Sequence, residues 1–267
     1  MTDVETVPTI ADAARHISRD TAYLGGGTVL MRAVNAGEAV PKMVRTADPR
    51  LRDIAFSGDR IALGAGVTMA QVLGRPELDF LHPVARQIGG PQVRNMGTVG
   101  GNIFAPHPYG DFTVALLALG AEVQLAGSAS GKRRLEDVLR DRTRQSMLVS
   151  SIDLERPQPK EFGFLKVSRV KPKGVSVMSI AAHLPMSAGR IRGARVAWGA
   201  MAATPMRSAA IERVLEGQSL DSATLERAVR VATDGLDPLT DPLATSWYRK
   251  EVAGVHLRRL LTSMGVR

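Results

Sequence analysis

The stretch GTVGGNIFAPHPYGD at residues 97–111 constrains the fold of this chain more than any other, with four glycines and two prolines around one histidine. Glycine adopts positive φ and lets a ligand or another backbone approach closely, at a cost in folding entropy. A second cluster, GGGT at residues 25–28, also leads from a strand-like run into helical spacing. Each cluster alone is equally consistent with an ordinary tight turn. Both together favour a cradle of main-chain amides for a diphosphate.

Standard nucleotide motifs are excluded by single residues. GGGTVLM and GAGVTM place Leu30 and Met69 where a Rossmann fingerprint needs its third glycine. GSASGKR is one residue short of a P-loop and has Arg133 where a magnesium-binding Ser or Thr belongs. We interpret that segment as a hairpin turn.

Composition narrows the classes of function further. The 267 residues include no cysteine, which excludes disulfides, thiolate nucleophiles and cysteine-ligated zinc or iron-sulfur centres in this chain. The net charge of +9 is scattered, and aromatic residues make up only 4%, so we expect no nucleic-acid platform. No apolar run is long enough for a membrane helix, and the acidic N-terminal stretch resembles no signal peptide, so we expect a cytoplasmic protein.

Hydrophobic periodicity divides the chain at the RPQPK segment, residues 156–160. Before it, helices are predicted at residues 10–17, 29–34, 69–73, 81–88 and 112–119, and strands at 21–24, 41–45, 60–63 and 122–125. After it, strands at 162–167, 177–184 and 191–201 precede helices at 206–215, 222–233 and 247–261. Strands followed by helices are typical of an α+β unit with an antiparallel sheet. We therefore predict one domain at 1–157 and a second at 161–267.

Two long motifs resemble a known family. LGGGTVLM at residues 24–31 resembles an AGGTDL-type loop, and residues 92–123 resemble the signature QIRNxGTIGGNI…SPxxDLxxALLALDAEV. Both belong to the FAD-binding medium subunit of molybdenum hydroxylases of the carbon monoxide dehydrogenase and xanthine dehydrogenase type. FLKVSR at 164–169 and the segments 203–217 and 241–261 resemble later parts of the same subunit.

The resemblance implies an α+β fold with a two-subdomain FAD-binding domain (PCMH-type), followed by a C-terminal domain of three antiparallel strands and a three-helix layer. It also implies the residues that bind FAD: Gly25, Gly26, Gly27, Thr28, Val29, Thr98, Val99, Gly100, Gly101, Asn102, Asp111 and Lys166. Asp111 would accept a hydrogen bond from a cofactor hydroxyl, cap the following helix, or do both. Lys166 would lie close to the flavin; its alternative is a solvated strand lysine.

The implied role is electron transfer within a larger assembly, a dimer of heterotrimers. A large subunit would carry the molybdenum cofactor and a small subunit the [2Fe–2S] clusters, which agrees with the missing cysteines. FAD in this chain would pass electrons to an acceptor such as NAD, a quinone or oxygen. The alternatives are a stand-alone FAD-dependent oxidase or reductase of the same fold, and a scaffold subunit that has lost FAD.

The remaining polar residues suggest no second reaction centre. The histidines show no metal-binding spacing and no catalytic dyad is apparent, so no metal site and no catalytic residue are predicted. His107, beside the second glycine cluster, is interpreted as a solvent-facing loop residue, or else as a contact to the flavin or a partner. Gly174 and Val175 stand where the family often has an Asp followed by an aromatic residue near the flavin, which leaves the acceptor open.

Overall fold

The computed structural model describes residues 3–18, 20–127, 130–142, 144–170 and 174–265. The chain forms two compact units, each built from separate segments. Unit 1 contains Met1–Leu78, Gly90–Ala105 and Ala121–Glu155, and unit 2 contains Asp79–Gly89, Pro106–Gly120 and Arg156–Arg267. The domain limits 1–157 and 161–267 stay a prediction.

Unit 1 holds two sheets within the described residues. A parallel three-stranded sheet has the order β1-β3-β2, and a five-stranded antiparallel sheet has the order β4-β5-β8-β6-β7. The strands are β1 Asp3–Val7, β2 Thr21–Tyr23, β3 Lys42–Thr46, β4 Ile54–Ser57, β5 Arg60–Gly64, β6 Glu122–Ala126, β7 Gly131–Arg134 and β8 Leu148–Glu155. The α-helices are α1 Ile10–His16, α2 Leu30–Asn35, α3 Met69–Leu73, α5 Pro91–Met96, α6 Val99–Ile103 and α8 Leu135–Asp141.

Local capping explains where the short helices of unit 1 begin. Thr68 and Gln71 form a reciprocal capping box at the start of α3. Thr98 caps α6, because its Oγ1 accepts a hydrogen bond from the Gly101 amide at 3.0 Å. The second glycine cluster is therefore the first turn of a capped helix.

Unit 2 is built on an antiparallel sheet with the order β14-β13-β10-β9. Its strands are β9 Phe162–Ser168, β10 Ser176–His183, β11 Met186–Ser187, β12 Arg190–Ile191, β13 Arg195–Gly199 and β14 Met206–Arg207, where β11 and β12 form a separate ribbon. Its α-helices are α4 His82–Ala85, α7 Asp111–Ala118, α9 Ala209–Leu215, α10 Ser222–Arg230 and α11 Ser246–Ser263. Buried Met178, Ile180 and Trp198 share one core with side chains of α9 to α11, while α7 packs along β10 and β13.

The α+β fold with three main strands and three C-terminal helices is confirmed, with differences at the ends of elements. The residues expected to begin the helix at 206 instead form the two-residue edge strand β14, and the helix starts after the Ser208 cap. The helix predicted at 81–88 is only α4, which follows a 3-10 helix at Pro76–Leu81. The strands β1, β4, β7 and β8 were not predicted, because short or mixed runs carry little periodicity.

Asp111 is not the N-cap of α7, contrary to one of the two roles predicted for it. Gly110, with φ of 106°, occupies the cap position and Asp111 is the first helical residue. The left-handed conformation at Gly110 turns the chain into the helix and suits a glycine. The Asp111 carboxylate is thereby available for other partners. No helix in the described ranges is long and apolar enough to cross a membrane.

Candidate functional site

The two glycine segments of unit 1 lie against each other. We define the first glycine segment as residues 25–29 and the second as residues 98–102. A Cβ on Gly26 would lie 1.8 Å from the Met96 carbonyl oxygen, and a Cβ on Gly25 would lie 3.4 Å from Thr98 Oγ1. The structure therefore brings together two segments that are about seventy residues apart in sequence.

The first glycine segment offers a run of unpaired main-chain donors. Leu24 N donates to Val44 O at 2.8 Å and Met31 N donates to Gly27 O at 2.9 Å, which fixes both ends of the turn. Between them, the amides of residues 25–30 have no hydrogen-bond partner in the part of the chain that the structure describes. Such a run of N–H groups next to the start of α2 suits an anion with several acceptor oxygens.

The amides of the second glycine segment are already used within unit 1. Val99 N and Gly100 N donate to the carbonyls of Val67 and Ala65, each at 2.8 Å. The amides of Gly101 and Asn102 donate to Oγ1 and the carbonyl oxygen of Thr98, each at 3.0 Å. The amides of Val99 to Asn102 are thus paired within unit 1, and the contact of this segment with FAD stays a prediction.

Each segment combines one glycine packed against protein with one open glycine. A Cβ on Gly100 would lie 2.7 Å from Ala65 Cβ and 2.9 Å from Ala65 O, so this position is required for packing. A Cβ on Gly101 would meet only Thr98 Oγ1, at 2.9 Å, and Gly25 and Gly101 are both exposed. The open side has no titratable side chain in either segment. Its chemistry fits the diphosphate of FAD.

Arg142 is a further residue of this region that the sequence did not reveal. Its Nη1 donates to the carbonyl oxygen of Ile103, the last residue of α6, and so holds the far end of the helix that carries the second glycine segment. Burial lowers the pKa of Arg142 below its ordinary value. No spacing signal links the two positions, which are 39 residues apart.

In unit 2, Asp111 and Lys166 form a buried ion pair. Lys166 Nζ lies 2.8 Å from Asp111 Oδ2, and the two side chains are only 5% and 9% exposed. Ser176 Oγ donates to Asp111 Oδ1 at 2.6 Å, and Lys166 Nζ also donates to the Gln87 carbonyl oxygen at 2.9 Å. We call these four residues the Asp111 cluster. It joins α7, β9, β10 and the segment before α5.

The Asp111 cluster decides between two interpretations of Lys166. The alternative of a solvated strand lysine is wrong, because the ammonium group is buried and paired. A charge pair taken out of water is stable only when further hydrogen bonds satisfy it, which Ser176 and Gln87 provide. Sequence reasoning missed both of these partners, since a serine and a backbone carbonyl carry no recognisable signal. The contact of Asp111 and Lys166 with FAD stays a prediction.

Two other predictions concern positions in unit 2. His107 is not a solvent-facing residue, because its Nε2 lies 2.8 Å from Asp241 Oδ2 and both side chains are 15% exposed. A Cβ on Gly174 would lie 2.2 Å from the Val170 carbonyl oxygen, which the Gly174 amide contacts at 2.7 Å. Glycine at 174 is therefore required by this close contact with Val170, which explains why a larger residue is missing there. Residues 171–173 lie outside the described residues.

The described residues contain no group of three or more histidine and acidic side chains that could hold a metal ion. The described residues thus offer two separate features, main-chain donors in unit 1 and a charged, buried cluster in unit 2.

Comparisons with known proteins identify the family of the chain. Residues 2–154 match the family described as the FAD binding domain in molybdopterin dehydrogenase. Residues 164–264 match the CO dehydrogenase flavoprotein C-terminal domain. Together the two matches span nearly the whole chain.

The alignments with individual relatives also cover most of both chains. The chain is 28% identical to the carbon monoxide dehydrogenase medium chain of Afipia carboxidovorans, over 96% of this chain and 94% of that one. It is 26% identical to the glyceraldehyde dehydrogenase medium chain of Sulfolobus acidocaldarius, over 88% of each. It superposes on reconstituted CO dehydrogenase from Oligotropha carboxidovorans with a TM-score of 0.86, 26% identity and coverage of 98% and 96%. The chain belongs to the family of FAD-binding medium chains of the molybdenum hydroxylases, of the carbon monoxide dehydrogenase and xanthine dehydrogenase type.

Proposed function

We propose that this chain is the electron-transfer subunit of a multi-subunit molybdenum-containing hydroxylase or dehydrogenase. It would take electrons from iron-sulfur clusters of a small partner subunit, while a large partner subunit holds the molybdenum cofactor and the organic substrate. Bound FAD supplies the redox chemistry that lets the chain hand these electrons to an external acceptor. The chain's own residues bind and orient that cofactor.

One observation carries this proposal: the run of unpaired amides at residues 25–30 in the described structure. A diphosphate has enough acceptor oxygens to use several of these donors at once, and Gly25 and Gly101 are both exposed. A folded chain without such a ligand would leave these donors to water. The family membership of the chain supports the same cofactor.

The test is FAD binding by a variant that fills the open face without disturbing the fold. A Cβ on Gly25 meets nothing closer than 3.4 Å, and neither does a Cβ on the exposed Gly74, which therefore serves as the matched control. We expect Gly25→Leu to weaken FAD binding by about tenfold or more, since the side chain projects into the space that the diphosphate needs. Gly74→Leu should bind FAD as the wild type does.

Flavin fluorescence quenching on titration of the flavin-free chain gives both dissociation constants. Equal affinity of Gly25→Leu and Gly74→Leu would show that the first glycine segment is not the binding surface. A wild-type chain that takes up no FAD at all, alone or in its purified complex, would favour a scaffold subunit and overturn the proposal.

A further inference from the structure

His107 lies in the segment that joins the second glycine segment to Asp111. It stands where the SPxxD signature has its serine. Its Nε2 lies 2.8 Å from Asp241 Oδ2, across 134 residues of sequence. The proposed function gives His107 no role, although the residue is only 15% exposed.

Asp241 is an ionised carboxylate with a fixed orientation. Its Oδ1 accepts hydrogen bonds from the amides of Leu243 and Ala244, at 2.8 and 3.1 Å, and its Oδ2 accepts one from Arg249 Nη2 at 2.7 Å. Burial alone would raise the pKa of Asp241, but the hydrogen bonds from His107, Arg249 and the two amides outweigh it and lower the pKa to about 2. An ionised carboxylate only accepts, so His107 Nε2 must be the donor. This contact fixes the tautomer and the direction of the ring.

Arg249 anchors Asp241 in turn to the sheet of unit 2. The Arg249 side chain is fully buried. Its guanidinium donates to the carbonyl oxygen of Val177 at 2.8 Å and to those of Ala244 and Leu239. Five N–H groups in a rigid plane allow one arginine to hold several carbonyls and a carboxylate together.

These hydrogen bonds connect both ends of residues 107–111 to strand β10. At one end of residues 107–111, Asp111 is held by Ser176 Oγ on β10. At the other end, His107 is held through Asp241 and Arg249 by the carbonyl of Val177, the next residue of the same strand. Both ends of this short segment are thus tied to neighbouring residues of β10, Ser176 and Val177.

We propose that His107 is a positioning residue for Asp111: by donating to Asp241, it holds residues 107–111 so that the Asp111 carboxylate is preorganised for a hydroxyl group of FAD. This inference rests on the proposed function. His107 acts through Asp241 and the segment, and it needs no contact with the cofactor.

The test compares two substitutions at His107 in the full-length chain, with FAD added to the flavin-free protein. His107→Leu removes the donor, and we expect it to weaken FAD binding by about tenfold, as for a lost hydrogen bond to a charged group. His107→Gln places an amide N–H at a similar reach to Nε2, and we expect it to restore binding to within about twofold of the wild type. His16→Leu is the control, because His16 faces a carboxylate of unit 1, Glu5, at 3.4 Å.

Restored FAD binding in His107→Gln would show that His107 acts through its hydrogen bond to Asp241 and not through a general effect on stability. Thermal unfolding of the flavin-free variants is measured in parallel. If His107→Leu binds FAD as tightly as the wild type, or if His107→Gln binds as weakly as His107→Leu, the inference is overturned while the proposed function stands. Should His107→Leu not fold, His107→Asn, whose amide is too short to reach Asp241, replaces it with the same expectation. A wild-type chain without affinity for FAD overturns both proposals.

Discussion

The glycine segments of unit 1 and the Asp111 cluster of unit 2 are built on opposite principles. The first presents backbone donors on a surface without titratable side chains. The second pairs a buried carboxylate with an ammonium group; a hydroxyl donates to the carboxylate, and a carbonyl oxygen accepts from the ammonium group. A backbone site depends on the absence of side chains, whereas a charged cluster depends on every partner being present. The two regions should therefore respond to different perturbations.

The largest effect is expected from removing a charge in the Asp111 cluster. Lys166→Met leaves the Asp111 carboxylate buried with Ser176 as its remaining partner, which should lower the free energy of unfolding by about 3–5 kcal/mol. Urea unfolding monitored by tryptophan fluorescence measures the loss, because Trp198 and Trp247 both belong to unit 2.

A surface ion pair of the same length provides the control for this variant. Lys42 Nζ lies 2.8 Å from Glu5 Oε2, but the two side chains are 40% and 37% exposed. Lys42→Met should therefore change the unfolding free energy far less than Lys166→Met does, because solvent screens an exposed pair. If Lys166→Met and Lys42→Met lower the unfolding free energy by similar amounts, the buried ion pair of the Asp111 cluster contributes no more to stability than an exposed one.

The next largest loss of unfolding free energy is expected when one methyl group is added to a glycine of the first glycine segment. Gly26→Ala places a Cβ against the Met96 carbonyl oxygen and forces two backbone segments apart, which should cost about 2–4 kcal/mol. Gly25→Ala, one residue earlier, should stay within about 0.5 kcal/mol of the wild type. Urea unfolding followed by circular dichroism compares the two. Equal stabilities would contradict the close approach of the two segments.

A smaller effect is expected from acid. A hydrogen bond from Arg50, which outweighs the effect of burial, lowers the pKa of Asp48 in unit 1 to about 2, and Asp241 in unit 2 also has a pKa of about 2, against an ordinary value of 3.8. Because the folded-state pKa is depressed, each carboxylate stabilises the fold fully above pH of about 4. That contribution, about 2 kcal/mol each, is lost as the pH falls from about 4 to 2.

Unfolding curves at several pH values between these limits test the acid response. In Asp48→Asn, the unfolding free energy measured by circular dichroism should depend less on pH, because the contribution of Asp48 is gone. The pH dependence measured by tryptophan fluorescence, which reports on unit 2, should stay unchanged. An Asp48→Asn variant with the full wild-type pH dependence would disagree with the depressed pKa of Asp48.

Long or strongly patterned elements could be predicted from the sequence, and short ones could not. The helices α1, α3 and α11 and the strands β9 and β10 follow their apolar periodicity and capping residues closely. Strands such as β1 and β4 are short, and β8 mixes polar and apolar residues, so pairing with neighbours decides them. The order of the predicted elements was enough to predict the α+β class. The division of the chain into interleaved units could not be predicted, because it depends on long-range contacts.

For the candidate site, the sequence by itself determined the residue types: glycines for close approach, a lone acid before an apolar helix, and no cysteine for clusters or thiolates. Tertiary structure alone decided what each residue does. It assigned Gly26 and Gly100 to packing, left Gly25 and Gly101 open, used up the amides of the second segment, and enclosed Asp111 with Lys166 and Ser176. The reason is physical: backbone conformation and polarity are local properties, whereas burial and hydrogen-bond partners depend on segments that meet only in the folded chain.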